Sequence, residues 1–308
     1  MAQDDANSGV KRMATAAGKP HVSVIVPHYQ DLGGLALCLA SLEAQTFPRD
    51  RFEIVVADNN SPVGLEAVEK VVAGRARLVS VLEKGAGPAR NGAIAASRGE
   101  VLAFIDSDCV AEPQWLAEGF AGLDRFGLVG GRVRVLVPDP DRMTPAEAFE
   151  RVFAFDFDSY INKKGFTGAG NMFCRREVFD RTGPFGVGMS EDVDWSRRAV
   201  AKGARLGYVP QATIGHPART TWEQLSGKWR RINAETYGLM AGQKHRRVRW
   251  LARNLLMPLS AIAHTPKVLR SSELNTAAQR MAAIGMLFRL RTWRMIDAIR
   301  LLLATRAG

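Results

Sequence analysis

Four short, mostly apolar runs, each succeeded at once by polar or glycine-rich residues, constrain this chain more than any other feature of its sequence. They occupy 22–26, 53–57, 77–82 and 101–105, and helical patterns fill 33–45, 65–73 and 88–97 between them. Strands alternating with helices predict a largely parallel sheet covered on both faces. The runs are β-branched and unbroken by alternation, as strands buried on both sides require. Pro88 falls where the first turn of a helix tolerates proline. At 308 residues, the chain has room for one sizeable α/β domain plus an appendage, or for two small domains.

Open sheets of this kind bind ligands beyond the carboxyl ends of their strands. The residues just past each run are therefore informative. Pro27-His28-Tyr29 succeeds the first, Asp58-Asn59-Asn60-Ser61 the second, Glu83-Lys84-Gly85-Ala86-Gly87 the third and Asp106-Ser107-Asp108 the fourth. Four successive strands thus deliver hydrogen-bonding groups to one edge.

Within that edge, Asp106 and Asp108 make a hard oxygen site of the kind Mg²⁺ or Mn²⁺ prefers, the ion completing its shell with phosphate and water. A turn on the surface produces the same pattern, but the apolar strand before it favours a metal. Glu191, Asp192 and Asp194 crowd three carboxylates into four residues. Such a cluster suits a helix N-terminus, whose dipole favours negative charge, and it also suits a carboxylate base taking a proton from a hydroxyl. The two readings are compatible. Gly85 to Gly92 lacks the dinucleotide spacing, because Arg90 stands where a glycine is needed. Arg90 and Asn91 are placed instead to reach a phosphate or a ribose, or to form a solvated helix face. His216 comes after the apolar run 206–209 as a structural residue or a further metal ligand.

These motifs, in this order, resemble the family 2 glycosyltransferases, over roughly residues 21–219. The opening strand through Tyr29, the Asp58 turn, the helix start Gly87-Pro88-Ala89-Arg90-Asn91, the Asp106–Asp108 pair, Gly168-Ala169-Gly170-Asn171-Met172-Phe173 and Glu191-Asp192-Val193-Asp194-Trp195 with Arg198 carry the resemblance. It implies the GT-A nucleotide-diphospho-sugar transferase fold, with a Rossmann-like, mostly parallel central sheet. It also implies roles. Pro27, Tyr29, Asp58 and Asn60 would hold the nucleobase side, and Arg90, Asn91 and Asp106 the ribose or phosphates. Asp108 would bind Mn²⁺ or Mg²⁺ with Asp106 assisting and His216 near the ion or the diphosphate. Asp192 would be the base with Glu191 beside it, and Gly170, Asn171, Trp195 and Arg198 would lie toward the sugars. The donor implied is a nucleotide sugar, a UDP-sugar first, and the acceptor is a hydroxyl of a glycan or lipid-linked molecule in cell-envelope synthesis. A single base with direct displacement inverts the anomeric centre, whereas a double displacement needs a second, nucleophilic carboxylate. The family often has Asp where Asn59 stands. Phe155-Asp156-Phe157-Asp158 finds no counterpart; it shapes an acceptor pocket or forms a solvated helix end.

A catalytically inactive nucleotide-sugar or carbohydrate-binding module on the same fold is the main alternative, and the intact Asp106, Asp108 and Asp192 oppose it. A sugar-1-phosphate nucleotidyltransferase would need a glycine-rich signature where Pro27-His28-Tyr29 stands.

At the amino end, residues 1–20 are polar, carry no apolar core of a secretory signal and read as a disordered leader. Residues 21–221 read as the catalytic domain and 222–308 as a helical basic region. The stretch 244–308 holds 13 lysines and arginines against Glu273 and Asp297, and so carries the chain's whole +11 excess. That concentration points to an anionic surface. Trp222, Trp229 and Trp250 interleaved with arginines suit a bilayer interface; packing of the helices on the chain's own sheet is the other reading. Met281, Ile284, Phe288, Met295, Ile299 and Leu302 share one helical face. No nucleic-acid-binding module is recognisable, and no apolar run approaches the ~18 residues that span a bilayer. Cys38, Cys109 and Cys174 fit neither zinc nor disulfide spacing. The expected location is cytoplasmic, with peripheral attachment to the inner face of the membrane under the interfacial reading.

Overall fold

The computed structural model describes residues 20–188, 190–238 and 240–304; the expected leader falls almost entirely outside them. The first half runs β1 (Val22–His28), α1 (Leu32–Glu43), β2 (Phe52–Asp58), α2 (Leu65–Val72), β3 (Arg77–Ser80), α3 (Ala86–Ala95) and β4 (Val101–Ile105). Next come β5 (Val110–Ala111), α4 (Trp115–Gly122), β6 (Leu128–Leu136), α5 (Pro145–Phe153), α6 (Phe157–Asn162), β7 (Asn171–Arg175), α7 (Arg176–Thr182), α8 (Glu191–Ala201) and β8 (Leu206–Pro217). The chain ends in α9 (Trp222–Gly238), α10 (Arg246–Leu255), α11 (Met257–Leu269) and α12 (Ala277–Ala304).

The strands form one eight-stranded sheet in the order β3-β2-β1-β4-β7-β6-β8-β5. The first four are parallel; β7 then pairs antiparallel with both β4 and β6. β8 runs parallel to β6 and antiparallel to β5.

Successive strand side chains enter opposite cores, which is why the runs show no polar alternation. Val22, Val24, Val26, Ile54, Val56 and Ala103 pack with Leu35, Leu39 and Trp115 on one face. Ile25, Val55, Ala57, Leu102 and Phe104 pack with Ala89, Ala93 and Trp195 on the other. Helix starts obey local chemistry: Asp31 accepts from the Gly34 N–H at 2.8 Å, and Thr144 and Glu147 form a capping box ahead of Pro145.

The helical end shares a core with the sheet-bearing part. Phe149 and Val152 of α5 pack with Leu225, Ala261, Val268, Ala283 and Leu287. The face of α12 that turns inward carries Ala283, Leu287, Leu290 and Ala298, while Met281 and Phe288, on the apolar face read from the sequence, are exposed. The tryptophans also turn inward: Trp250 is 1% exposed against Tyr237, and Trp222 packs edge-on against Trp293. Large rings gain more by closing the interhelical core than by standing in solvent.

Candidate active site

Strand register assembles the site. β4 pairs with β7 so that Ile105 faces Asn171, which brings Asp106 against Gly170. A Cβ on Gly170 would lie 2.6 Å from Asp106 Oδ2, so only glycine permits this approach. A Cβ on Gly168 would lie 3.3 Å from Asp192 Oδ2, which puts the second carboxylate on the same short segment. Beyond Asp106 the chain turns into β5, where Val110 faces Gly215 of β8; continuing that register sets His216 beside the Asp108–Cys109 turn. His216 thus lies inside β8 rather than after a shorter strand.

The two aspartates of the pair have different partners. Asp106 takes a 2.8 Å hydrogen bond from Arg90 Nη2, and Arg90 Nη1 donates to Glu191 at 2.8 Å. The guanidinium is 4% exposed, and although burial works against its charge, Asp106, Glu191 and Asp192 more than restore it. Asp108 lies 3.4 Å from His216 Nε2. His216 Nδ1 donates to the Pro217 carbonyl at 2.7 Å, which leaves Nε2 facing the Asp108 carboxylate. A carboxylate beside an imidazole nitrogen is a donor pair that fits a divalent ion. Cys109 Sγ lies close enough to join them. Burial above all, then Asp106 and Asp108, push its thiol well above the ordinary value, so it stays protonated and donates to Asp108. Burial likewise raises Asp108, with His216 opposing and Asp106 reinforcing.

Asp192 opens α8. Ser190 before it sits in the left-handed region at φ 57, a sharp turn that sets both carboxylates at the helix start. Asp192 accepts from the Val193 N–H at 2.8 Å and the Ala169 N–H at 3.3 Å. Burial raises its pKa; Arg90 pulls it back and Glu191 pushes it further. A carboxylate held above its usual range is better matched to taking a proton from an alcohol.

At the outer strands, Asp58 is 2% exposed and braces the β1–β2 edge. It takes hydrogen bonds from His28 Nδ1 at 3.0 Å and from the Ser61 hydroxyl and N–H. Burial opposes its ionisation, but these bonds outweigh it and hold the carboxyl below the ordinary range. Tyr29 is 55% exposed, and Asn60 is exposed at φ 55, both at the same mouth, with Pro27 half-buried beside them. Asn59 explains its own departure from aspartate. Its Nδ2 donates to the Val81 and Glu83 carbonyls while Oδ1 accepts from Gly85 N–H, and a carboxylate cannot donate.

Several expected contacts are given structural work instead. Asn91 clamps Phe185 through both its N–H and carbonyl, so it does not face a ribose. Arg90 meets carboxylates rather than open space. Asn171 is fully buried, taking the Trp115 indole N–H and donating to the Arg132 and Ala212 carbonyls. Trp195 is 0% exposed and donates to the Gly183 carbonyl. Arg198 ties Asp194 to the Thr182 and Pro184 carbonyls. Of the four residues expected toward the sugars, only Gly170 lines the cavity.

That cavity, about 260 Å³, is lined in part by Asp106, Asp192 and His216. Its aromatic wall went unnoticed in the sequence: Phe149 and Phe153 of α5, Phe155, Phe157, Tyr160 and Trp229 of α9. The one signal was the unassigned Phe155-Asp156-Phe157-Asp158. The phenylalanines line the cavity, while Asp156 caps α6 and Asp158 is exposed, so both readings of that segment describe part of it. Also on this wall, Glu150 is 1% exposed and bonds Lys228 and Arg219, each at 3.0 Å. Burial would raise Glu150, but Lys228 and Arg219 hold it below its usual value.

Known proteins share the sequence pattern and the fold. The family model described as glycosyl transferase family 2 matches residues 23–183. The chain belongs to the family 2 glycosyltransferases. It is 32% identical over 219 residues to glycosyltransferase AglE of Haloferax volcanii, covering 68% of this chain and 71% of that one. It is 27% identical over 234 residues to the pre-mycofactocin glycosyltransferase of Mycobacterium tuberculosis, covering 70% of this chain but only 47% of that relative's length. Among solved structures, the mannosyltransferase PcManGT from Pyrobaculum calidifontis, in complex with GDP-Man and Mn²⁺, superposes with TM-score 0.52 at 19% identity, over 94% of this chain and 76% of that one. The shared architecture is the GT-A fold, here continued by a helical C-terminal region. Among the described residues, no helix of this family 2 chain is long and apolar enough to cross a membrane.

Proposed function

We propose that this glycosyltransferase moves a sugar from a nucleoside-diphosphate donor to an acceptor hydroxyl with inversion at the anomeric carbon. The observation that carries the reading is that Asp192, Asp106 and His216 border one cavity, with Asp192 half-buried and its pKa raised by desolvation. Asp192 takes the hydroxyl proton as the acceptor oxygen attacks the anomeric carbon from the face opposite the diphosphate. Glu191, tied to Arg90, is not free to act as a nucleophile on the other face, which favours single displacement. Asp108 and His216 would hold a divalent cation, with Asp106 beside them, and that ion supplies neutralisation of the leaving diphosphate. The exposed Tyr29 and Asn60, above the braced Asp58, form the mouth for the nucleobase. A structural neighbour bound to GDP-Man and Mn²⁺ supports a nucleotide sugar with a metal.

A thermal-shift screen of UDP-, GDP-, dTDP- and CMP-sugars tests this. At least one donor raises Tm in Mn²⁺, by the equivalent of about 2.7 kcal/mol at a hundredfold excess over Kd. EDTA abolishes both the shift and turnover. No shift with any donor in Mn²⁺ would overturn the transferase reading, and a shift unchanged in EDTA would remove the metal from it.

The C-terminal helices support peripheral attachment to an anionic bilayer, by aliphatic residues rather than the tryptophans. Val248, Leu251 and Leu255 form an exposed stripe on α10, and Leu259, Ile262 and Leu269 one on α11. The exposed Arg249, Arg253 and Arg270 flank them. Apolar stripes bordered by cations suit an interface carrying anionic lipid. Leu259→Asp combined with Ile262→Asp, both 61% exposed, leaves the fold intact and weakens sedimentation with phosphatidylglycerol vesicles. Undiminished sedimentation would end this assignment.

A further inference from the structure

The cavity beyond Asp192 has a composition that a saccharide-binding groove does not. None of its lining residues comes from β1, β2 or β3, whose ends carry Tyr29, Asp58 and Asn60. Past Asp106, Asp192 and His216, its wall is mainly aromatic and aliphatic; Glu150, Lys228 and the Tyr160 hydroxyl are its polar members, with no Asn, Gln, Ser or Thr among the described lining residues. A sugar ring entering such a wall would lose hydration at several hydroxyls with few neutral groups to replace it. A hydrocarbon body loses nothing of that kind and gains burial.

The polar groups that do line the wall are positioned for one anion. Glu150 is shared by Lys228, which lines the cavity, and by Arg219, which does not, so two cations meet one carboxylate at this point of the wall. Lys228 uses one contact on Glu150 and packs 5.0 Å over the Phe155 ring, lining the cavity with donors to spare. The Trp229 indole N–H is buried without a partner on the same wall. Phe155 itself is held at φ 56, a costly conformation for a bulky residue, with its ring 4.6 Å from that of His216. The aromatic wall is therefore fixed directly to the reacting end.

We propose that this cavity is the acceptor subsite and takes an anionic amphiphile: a lipid-like body against the phenylalanines, a negative group at Lys228, and the reacting hydroxyl at Asp192. This rests on the transferase reading. The neighbouring exposed stripes of α10 and α11 are consistent with an acceptor taken from a membrane surface.

The test is calorimetric titration of the whole chain with decyl phosphate below its micelle concentration, with decanol and maltotriose as comparison probes. Decyl phosphate binds at one saturable site, and Phe155→Ala and Lys228→Gln each weaken it about tenfold. Decanol binds wild type more weakly than decyl phosphate and is insensitive to Lys228→Gln. Decyl phosphate binding that neither variant changes would overturn the proposal. So would maltotriose binding more tightly and losing affinity in Phe155→Ala, which would make the wall a saccharide platform. Slow hydrolysis of the donor identified by the thermal screen, measured without acceptor in the wild-type chain, separates the two claims. If it persists while the amphiphile result fails, the transferase reading stands and only the acceptor class falls.

Discussion

Replacing Asp192 with asparagine lowers turnover by roughly a thousandfold, within the range one positioned proton acceptor contributes. Nucleotide-sugar affinity stays within about twofold of wild type, because the lost interaction is one made in the transition state. The amide has nearly the same size and keeps one oxygen for the Ala169 or Val193 N–H, but it cannot take the acceptor's proton. Steady-state kinetics paired with donor titration checks this, and loss of donor binding alongside turnover would refute the role. The pH dependence carries a sign. The base works ionised and burial raises its pKa, so the acid limb of kcat lies above the range of an exposed aspartate, and activity falls as pH drops through it. For stability the sign is reversed. The folded state holds this proton more tightly than the unfolded chain, so ionisation above the folded pKa costs stability. Asp192→Asn therefore holds or raises Tm at neutral pH, which differential scanning calorimetry reads directly.

Arg90→Met has the largest effect expected on stability. The guanidinium is the cation between Asp106 and Glu191 and the main charge opposing the burial of Asp192. Removing one member of a buried charge cluster typically costs about 3–5 kcal/mol. Asp106 is 38% exposed, so solvent screens its share and the low end, about 3 kcal/mol, applies. That corresponds to a fall in Tm of roughly 6–12 °C. Arg90→Lys recovers only part of it, because a single ammonium cannot span two carboxylates as the planar fork does. In any Arg90→Met protein that folds, Asp192 loses its opposing cation and the acid limb of kcat moves to higher pH. An unchanged Tm would show that the bridge contributes nothing to the fold.

Much of this was legible in the linear order of residues. The four apolar runs placed β1 to β4, because continuous β-branched segments cannot be hidden any other way. The polar groups after each run placed the site at the sheet's carboxyl edge. Other parts were not legible. Asn91, Asn171, Trp195 and Arg198 look like ligand-binding residues in a motif, yet each spends its hydrogen bonds on backbone groups, a core ring or a neighbouring carboxylate. Only the neighbours reveal that a polar side chain is already satisfied. The inward stripe of α12 could not be read from the sequence because both of its faces carry large apolar residues, and periodicity alone does not say which one has a partner. The aromatic wall is drawn from the consecutive α5 and α6 and from α9, which lies far along the chain from them and shares no motif with them.

By itself, the order of residues determined the parallel half-sheet and the acidic and glycine-rich turns at its edge, since strand burial and turn chemistry are local properties of the chain. The tertiary structure decided which of those groups meet. β7 inserts antiparallel beside β4 and lays Gly168–Gly170 against Asp106 and Asp192, and β8 brings His216 to Asp108. Both depend on pairings between distant segments, which are set by how the whole sheet buries its two faces and are written in no single stretch of sequence.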